Sequence, residues 1–253
     1  MRKAQFFYLL RRGLLSGGLN FIKEGLVMAS KFTTQGLSFP STGSAEFNGT
    51  SDFIQLNDPF SHTNHTIAAW VYANDTAAGK LIFNSRDAFN DGYALTIGAS
   101  ENIRYRINAT TISDSGNYSN EWVYAVGTYD GTTMKLYANG SLLVSSAISN
   151  TISVTTDARI GNKSWTDGDY MNGNLANVAI WNRALSSDEI NSVMWKPVQA
   201  LTATESNGLQ AWYSLDDIAS PTASLASMEQ LATDKNLTIE NKAAITTAIN
   251  KLS

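Results

Sequence analysis

The chain contains no cysteine, and only two histidines and four prolines occur among its 253 residues. Without cysteine it cannot form a disulfide framework, a thiolate zinc site or a cysteine nucleophile. It has no run of 18 apolar residues, so the sequence predicts no membrane-spanning helix. Its hydrophobic content of 43% and charged content of 16% are those of a globular chain, long enough to bury one large core.

Charge is distributed unevenly along the chain. Residues 1–31 carry six basic residues and one acid, whereas the remainder carries 12 basic and 21 acidic residues. A basic head on an acidic body predicts a terminal arm that docks on a negatively charged partner. The body has no basic stripe, so we expect no nucleic-acid binding by the main domain.

The basic head has the pattern of a short amphipathic helix, because Phe7, Leu10 and Leu14 recur at helical spacing. Its apolar run is too short for a signal peptide and is followed by two arginines. Three interpretations remain open: an anchoring arm, a membrane-surface helix, or a true translation start at Met28. We favour an anchoring arm over residues 1–36.

From about Ala45 to Trp181 the sequence has the pattern of β-strands joined by tight turns. The uncharged run 66–73 is rich in β-branched and aromatic residues, which predicts a strand buried on both faces. Asp130-Gly131 and Asn139-Gly140 supply the left-handed conformers that tight hairpins require. We therefore predict three consecutive antiparallel strands over residues 121–147.

The pattern changes in the C-terminal part of the chain. Ser186 begins a short predicted helix, and Glu189 stands three residues later in a capping-box arrangement. A further strand is predicted over residues 209–215. From residue 224 onward, apolar residues at helical spacing predict two short amphipathic helices. Residues 198–253 are thus expected to form an extra strand and a helical tail.

Four blocks of the sequence resemble the laminin-G-like, concanavalin A-like lectin/glucanase superfamily, and they stand in the order of that family. The blocks are AEFNGTSDFI at 45–54, TIAAWV at 66–71, EWVYAVGTYDG with LYANG within 121–140, and IGN with GNLANVAIWNRALS within 160–186. The match is specific for the fold and says little about the ligand.

The resemblance implies an all-β fold, an antiparallel jelly-roll sandwich expected over residues 37–197. Physical reasoning agrees, because double-sheet jelly rolls protect their edge strands and bury alternating residues of both inner faces. The resemblance also implies that Trp70, Trp122 and Trp181 lie in or near the core, where large aromatic rings contribute most to packing.

Two features depart from the family's pattern. Asn177 stands where relatives carry an aspartate, and loss of that carboxylate would weaken a calcium site at the rim of the sandwich. The segment 207–216 resembles a strand that often precedes this domain, but here it follows. Its place in the sheets stays open at this stage, as does the alternative that it begins a truncated second copy.

A search for catalytic patterns leads us to expect no enzyme. Glucanases on this fold carry a Glu-x-Asp-x-x-Glu pattern, which places acid and nucleophile on either side of a glycosidic bond. The chain lacks that pattern, and it also lacks a nucleophile elbow and a phosphate-binding glycine loop. His62 and His65 form only a weak metal-binding pattern.

One loop is the leading candidate for a ligand site. It contains four side chains of the kinds that bind sugars: Trp165, Asp167, Asp169 and Tyr170. Aromatic rings stack on the C–H faces of sugars, and carboxylates pair with their hydroxyls. If calcium is bound, Asp167 and Asp169 are the expected carboxylate ligands. A second candidate loop is 86–91, since binding residues usually lie on loops held by a rigid scaffold.

These observations predict a non-enzymatic virion-surface protein of a phage or virus, such as a decoration, head-fibre or tail-appendage subunit. Its lectin-like domain would attach to host glycans, and its basic arm would bind other virion proteins in a large or oligomeric assembly. A bacterial secreted or cell-surface carbohydrate-binding module is the alternative. A third possibility is a structural subunit without a ligand. The glycan, the host and the copy number are not predicted.

Overall fold

The computed structural model describes residues 43–74, 79–87, 91–153, 157–163 and 168–216. The predicted N-terminal arm and the predicted tail helices lie outside these residues. None of the helices in the described ranges has the length and apolar character needed to cross a membrane.

The described part of the chain forms thirteen strands, two α-helices and one 3-10 helix. The strands are β1 (Ala45–Asn48), β2 (Ile54–Gln55), β3 (His65–Ala73), β4 (Lys80–Asn84), β5 (Tyr93–Ile97), β6 (Ile103–Ile107), β7 (Thr110–Ser113), β8 (Trp122–Tyr129), β9 (Thr133–Ala138), β10 (Ser141–Ala147), β11 (Arg159–Ile160), β12 (Asn172–Trp181) and β13 (Leu209–Tyr213). The helices are α1 (Ser187–Val193), the 3-10 helix (Val198–Ala200) and α2 (Ala203–Ser206).

The strands are arranged in two antiparallel sheets. The seven-stranded sheet has the order β1-β12-β3-β8-β9-β10, with β13 also paired to β12, and the six-stranded sheet has the order β2-β11-β4-β5-β6-β7. The buried faces of the two sheets enclose the main core. The predicted all-β jelly-roll sandwich is therefore confirmed.

Both predicted hairpins are present. Asp130, Gly131 and Thr132 connect β8 to β9, and Asn139 and Gly140 connect β9 to β10. Asn139 and Gly140 have φ values of 49° and 79°, the left-handed pair that a two-residue turn between antiparallel strands requires. This turn fixes the register of β9 against β10 at the edge of the seven-stranded sheet.

Strand β3 is buried on both faces, as its uncharged sequence predicts. Ile67, Ala69 and Val71 point into the main core between the sheets. Ala68 and Trp70 alternate with them and join a second apolar cluster on the outer face of the seven-stranded sheet. Side chains from α1 and from the segment that follows it pack on this second cluster, so the outer face of this sheet is partly covered.

Helix α1 begins with the predicted capping box. The Ser186 hydroxyl accepts a hydrogen bond from the Glu189 amide, and the Glu189 carboxylate accepts one from the Ser186 amide. Arg183 holds the same carboxylate with a 2.7 Å contact from Nη2 to Oε1. The indole N–H of Trp70 donates to the carbonyl of Met194 at 3.0 Å, which fastens the end of this segment to the sheet.

The structure gives the late strand β13 a definite place. It pairs with the second half of β12, while β1 pairs with the first half, so both strands lie along one edge of β12. Asn177 lies between the two pairings with φ of 49°, and its Oδ1 accepts a hydrogen bond from Trp212 Nε1 at 3.1 Å. The asparagine that departs from the family's pattern therefore has a structural role at a bulge.

Candidate functional site

Four side chains form a row across the outer face of the seven-stranded sheet, beside the second apolar cluster. Glu46 pairs with Asn174, Asn174 with Tyr72, and Tyr72 with Trp122 on four adjacent strands. Residues directly opposite each other in a sheet project from the same face. All four are exposed or half-buried, so the row is accessible to a ligand.

Two asparagines continue this surface beyond the row. Asn172 precedes Asn174 by two residues on β12, and Asn74 directly follows β3, two residues after Tyr72. Strand alternation places residues two apart on the same face. We call the set of six the polar–aromatic face: Glu46, Tyr72, Asn74, Trp122, Asn172 and Asn174.

The neighbours of these residues show why they face outward. Val71 and Ala73 flank Tyr72 and are buried in the main core, as is Val123 beside Trp122. Gly173, between the two asparagines of β12, is paired with Ala73 across the strands. Burial of the alternate residues in the core therefore fixes the polar–aromatic face on the outside of the sandwich.

The two aromatic rings of the face are neighbours. The ring centroids of Tyr72 and Trp122 are 5.8 Å apart, and the ring planes are inclined by 55°. Trp122 also packs against the second apolar cluster, which restricts the position of its ring. Trp70 and Trp181 are buried, with exposures of 5% and 0%. Trp122, which the sequence places with them in or near the core, is half-buried at the margin of the cluster.

The asparagine amides are partly bound to each other. Asn74 Nδ2 donates to Asn172 Oδ1 at 2.9 Å, and Asn174 Nδ2 donates to Ser44 Oγ at 3.3 Å. Each of these bonds uses one polar atom of an amide that carries both an acceptor oxygen and a donor nitrogen. Asn74 Oδ1, Asn172 Nδ2 and Asn174 Oδ1 take part in neither of these two bonds and can pair with a ligand.

The loop predicted as a ligand site directly precedes β12 in the chain. Trp165 and Asp167 lie outside the described residues. Asp169 forms an ion pair with Lys163, with 2.7 Å between Oδ2 and Nζ. Tyr170 is half-buried and stands two residues before Asn172, where β12 begins. The described end of the loop, residues 168–170, leads into β12, and the role of the loop as a ligand or calcium site stays a prediction.

Potential metal ligands are dispersed over the described residues. No three His, Asp or Glu side chains in those ranges lie close enough to share a metal ion. His65 is buried, its Nδ1 contacts the carbonyl of His62 at 2.9 Å, and its Nε2 is hydrogen-bonded to the Tyr105 hydroxyl. Because both ring nitrogens of His65 are engaged, the weak histidine pattern of the sequence is not a metal site.

Two other surface features have structural explanations. In the second candidate loop, the Asp91 amide donates to Asp87 Oδ1 at 3.0 Å, and the Asp87 amide donates to the Asp91 carbonyl at 3.0 Å. A shallow cleft between β7 and β10 includes Asp114. The Asp114 carboxylate accepts bonds from Gly116 and Tyr118 of its own turn. In both places the polar groups stabilise the turns themselves.

Sequence reasoning missed most of the polar–aromatic face. One signal was present, since Trp70, Tyr72 and Asn74 alternate along β3 and pass from apolar to polar toward the strand end. The partners on the other strands cannot be found this way, because Glu46 and Asn174 meet Tyr72 only through the register of strands far apart in sequence.

Comparison with protein families gives a match over most of the sandwich. The model of a family described as the Concanavalin A-like lectin/glucanases superfamily matches residues 48–191 of the chain. Among curated proteins, none matches this sequence.

Solved structures with similar folds include a candidate carbohydrate binding protein from Bacteroides ovatus, with a TM-score of 0.58 and 16% identity over 70% of this chain and 52% of that one. This chain thus spans about half of the Bacteroides protein. A heptameric SAP-like pentraxin from Limulus polyphemus has a TM-score of 0.53 and 16% identity over 73% of this chain and 98% of that one. The CBM40 of a Ruminococcus gnavus sialidase, bound to α2,3 sialyllactose, has a TM-score of 0.49 and 15% identity over 61% of this chain and 99% of that one. At these identities the Bacteroides and Limulus structures establish a likeness of fold alone.

Proposed function

The chain belongs to the concanavalin A-like lectin/glucanases superfamily, and from this premise we propose that it is a non-enzymatic carbohydrate-binding protein. The proposed binding surface is the polar–aromatic face. The observation that carries the proposal is the row Glu46, Asn174, Tyr72 and Trp122, which four adjacent strands hold in register.

This row combines the two kinds of group that bind sugars. The half-buried rings of Tyr72 and Trp122 offer apolar surface to the C–H face of a sugar ring. The amides of Asn74, Asn172 and Asn174 offer both donors and acceptors to its hydroxyls. Because strands rather than loops carry most of these groups, the surface needs little reorganisation on binding, which favours affinity.

The proposal of binding without catalysis rests on the carboxylates of this face. Glycoside hydrolysis of the usual kind requires two carboxyl groups, separated by roughly 5 to 9.5 Å, on either side of the bond that is cleaved. Among its six residues the polar–aromatic face has one carboxylate, that of Glu46. A sugar held here would meet a hydrogen-bonding carboxylate without a partner for acid–base catalysis.

We further propose that the sandwich is displayed on a virion surface, with residues 1–36 as the arm that attaches it. The Gly43 amide, just before β1, donates to Asp216 Oδ1 at 3.2 Å, a few residues after β13. Gly43 is therefore held at the edge formed by β1 and β13, which supports attachment from that edge. A chain lacking residues 1–36 should fold and should fail to enter particles. Normal incorporation would favour the alternative, a bacterial secreted or cell-surface module.

A glycan array tests the binding proposal. The full chain should bind a subset of glycans, and the double variant Tyr72→Ala/Trp122→Ala should lose that binding by roughly tenfold or more, equivalent to at least about 1.4 kcal/mol. Phe53→Ala is a matched control, because it removes a half-buried ring that lies against Arg159, beside the six-stranded sheet. Binding that survives the double variant would exclude the polar–aromatic face.

A further inference from the structure

Resting on the proposed function, we infer that the polar–aromatic face selects neutral, soluble glycans and discriminates against sialylated or sulfated glycans and against flat crystalline polysaccharides. The inference comes from the charges of the face and from the inclination of its two rings.

The charge on the face itself is negative. Glu46 is exposed and stands in the row opposite Asn174, and the other five residues of the face are uncharged. A glycan carboxylate or sulfate placed here would meet a like charge and would find only uncharged hydrogen-bond donors on the face. Recognition of such anions in proteins relies on arginine or lysine, whose charge-assisted hydrogen bonds are about twice as strong as neutral ones.

One basic side chain, Lys135, shares the outer face of the seven-stranded sheet, and it lies opposite Thr128, six residues along β8 from Trp122. Other basic side chains are directed elsewhere. Lys163, close to the start of β12, is paired with Asp169 at 2.7 Å. Arg104 and Arg106 alternate on β6 with Tyr105, which is buried in the core, so both arginines lie on the outer face of the six-stranded sheet. That surface is on the opposite side of the sandwich from the polar–aromatic face.

The net charge of the described residues also disfavours the binding of anionic glycans. The described residues include nine lysines and arginines against fifteen aspartates and glutamates. A protein with a net negative charge repels anionic ligands during their approach and slows their association, an effect that salt reduces. Local and long-range electrostatics therefore both favour an uncharged ligand.

The ring geometry determines which form of neutral glycan fits. A flat crystalline polysaccharide requires coplanar aromatic rings, because it must contact all of them at once. The planes of Tyr72 and Trp122 are inclined by 55° with centroids 5.8 Å apart. Such a pair forms an angled surface that suits one sugar residue or a bent oligosaccharide. Soluble glycans are therefore the expected class.

Matched glycan pairs test this inference. The probes are oligosaccharides that differ only by a terminal sialic acid or a sulfate, together with microcrystalline cellulose and chitin. The full chain should bind the neutral member of each pair at least tenfold more tightly and should not sediment with the crystalline solids. In Glu46→Lys this preference should decrease, whereas Glu46→Gln should have an intermediate effect.

The outcomes separate the inference from the function on which it rests. One outcome is that the charged glycans bind as well as their neutral counterparts and that Tyr72→Ala/Trp122→Ala abolishes this binding. That result would support the polar–aromatic face as the binding site and would refute the selectivity. Sedimentation with cellulose or chitin that depends on the same two rings would likewise refute it. If no glycan binds to the folded chain, or if the double variant binds normally, both proposals fail.

Discussion

Tyr72 and Trp122 lie directly opposite each other on neighbouring strands, with ring centroids 5.8 Å apart and ring planes inclined by 55°. The register that joins them also aligns Asn174 and Glu46 on the next two strands. A surface that combines rings, amides and a carboxylate therefore follows from strand pairing alone. Partial exposure distinguishes Trp122 from the buried Trp70 and Trp181.

Trp122→Ala should lower the free energy of unfolding much less than Trp181→Ala. Trp122 is half-buried, so its removal should cost about 1 to 2 kcal/mol, whereas the fully buried Trp181 should cost roughly 3 to 5 kcal/mol. Chemical denaturation of both variants would measure the difference. Equal losses would mean that Trp122 is a core residue and a poor candidate for ligand contact.

Asn177 should tolerate glycine better than alanine. Its φ of 49° is a left-handed conformation that glycine adopts readily and alanine does not. Both substitutions remove the acceptor for Trp212 Nε1. We therefore expect Asn177→Ala to be less stable than Asn177→Gly by about 1 kcal/mol. Thermal or chemical denaturation checks the order, and the reverse order would argue against the bulge as described.

Removing one charge of the buried ion pair between Lys80 and Glu101 should strongly lower the free energy of unfolding. Lys80 Nζ contacts both carboxylate oxygens at 3.1 Å, and the two side chains are 1% and 7% exposed. Lys80→Met would leave a buried carboxylate without its cation, at a cost of roughly 3 to 5 kcal/mol. The double variant Lys80→Met/Glu101→Gln should recover much of that loss.

The exposed pair of Lys163 and Asp169 is the control for this experiment. The Asp169 side chain is 48% exposed, so Lys163→Met should cost less than about 1 kcal/mol. Chemical denaturation of the single and double variants gives the coupling energy of the buried pair. A loss for Lys80→Met as small as that for Lys163→Met would refute the prediction.

Stability should decrease in mild acid because of His65. Burial lowers the pKa of His65 from 6.5 to about 3. Between these two values the unfolded chain binds a proton that the folded chain does not, so the free energy of unfolding falls as pH falls. The slope contributed by this group is at most about 1.4 kcal/mol per pH unit.

A variant without this titration provides the comparison. His65 is stacked on Tyr93, with 3.6 Å between the ring centroids. The variant His65→Phe keeps an aromatic ring in this position. Its unfolding free energy should vary less steeply between pH 6 and pH 5, whatever its baseline stability. Denaturant titrations across that interval measure the two slopes, and identical slopes would show that His65 does not titrate as described.

Features of the fold that depend on neighbouring residues could be predicted from the sequence, whereas those that depend on residues far apart in the chain could not. The hairpin at Asn139-Gly140 and the capping box of Ser186 and Glu189 are local, and both are found in the structure. The place of β13 could not be predicted, because its pairing with β12 depends on a bulge at Asn177 and on the space left beside β1.

The candidate site was harder to predict for the same reason. Attention to loops led to Asp169 and Tyr170, which the structure places where the chain enters β12. The polar–aromatic face itself combines residues from four strands, and Glu46 and Trp122 are brought into one row only by the registers of three strand pairs. Alternation along a single strand indicates which residues face outward but not which neighbours they meet.

The most direct measurement is the perturbation of assigned NMR signals when a neutral oligosaccharide selected on the array is added to the full chain. The account predicts shifts for the Trp122 indole and for the side-chain amides of Asn74, Asn172 and Asn174, with the buried Trp181 indole unchanged. Shifts confined to residues 163–170, with the Trp122 indole unaffected, would contradict it and would move the site to the neighbouring loop.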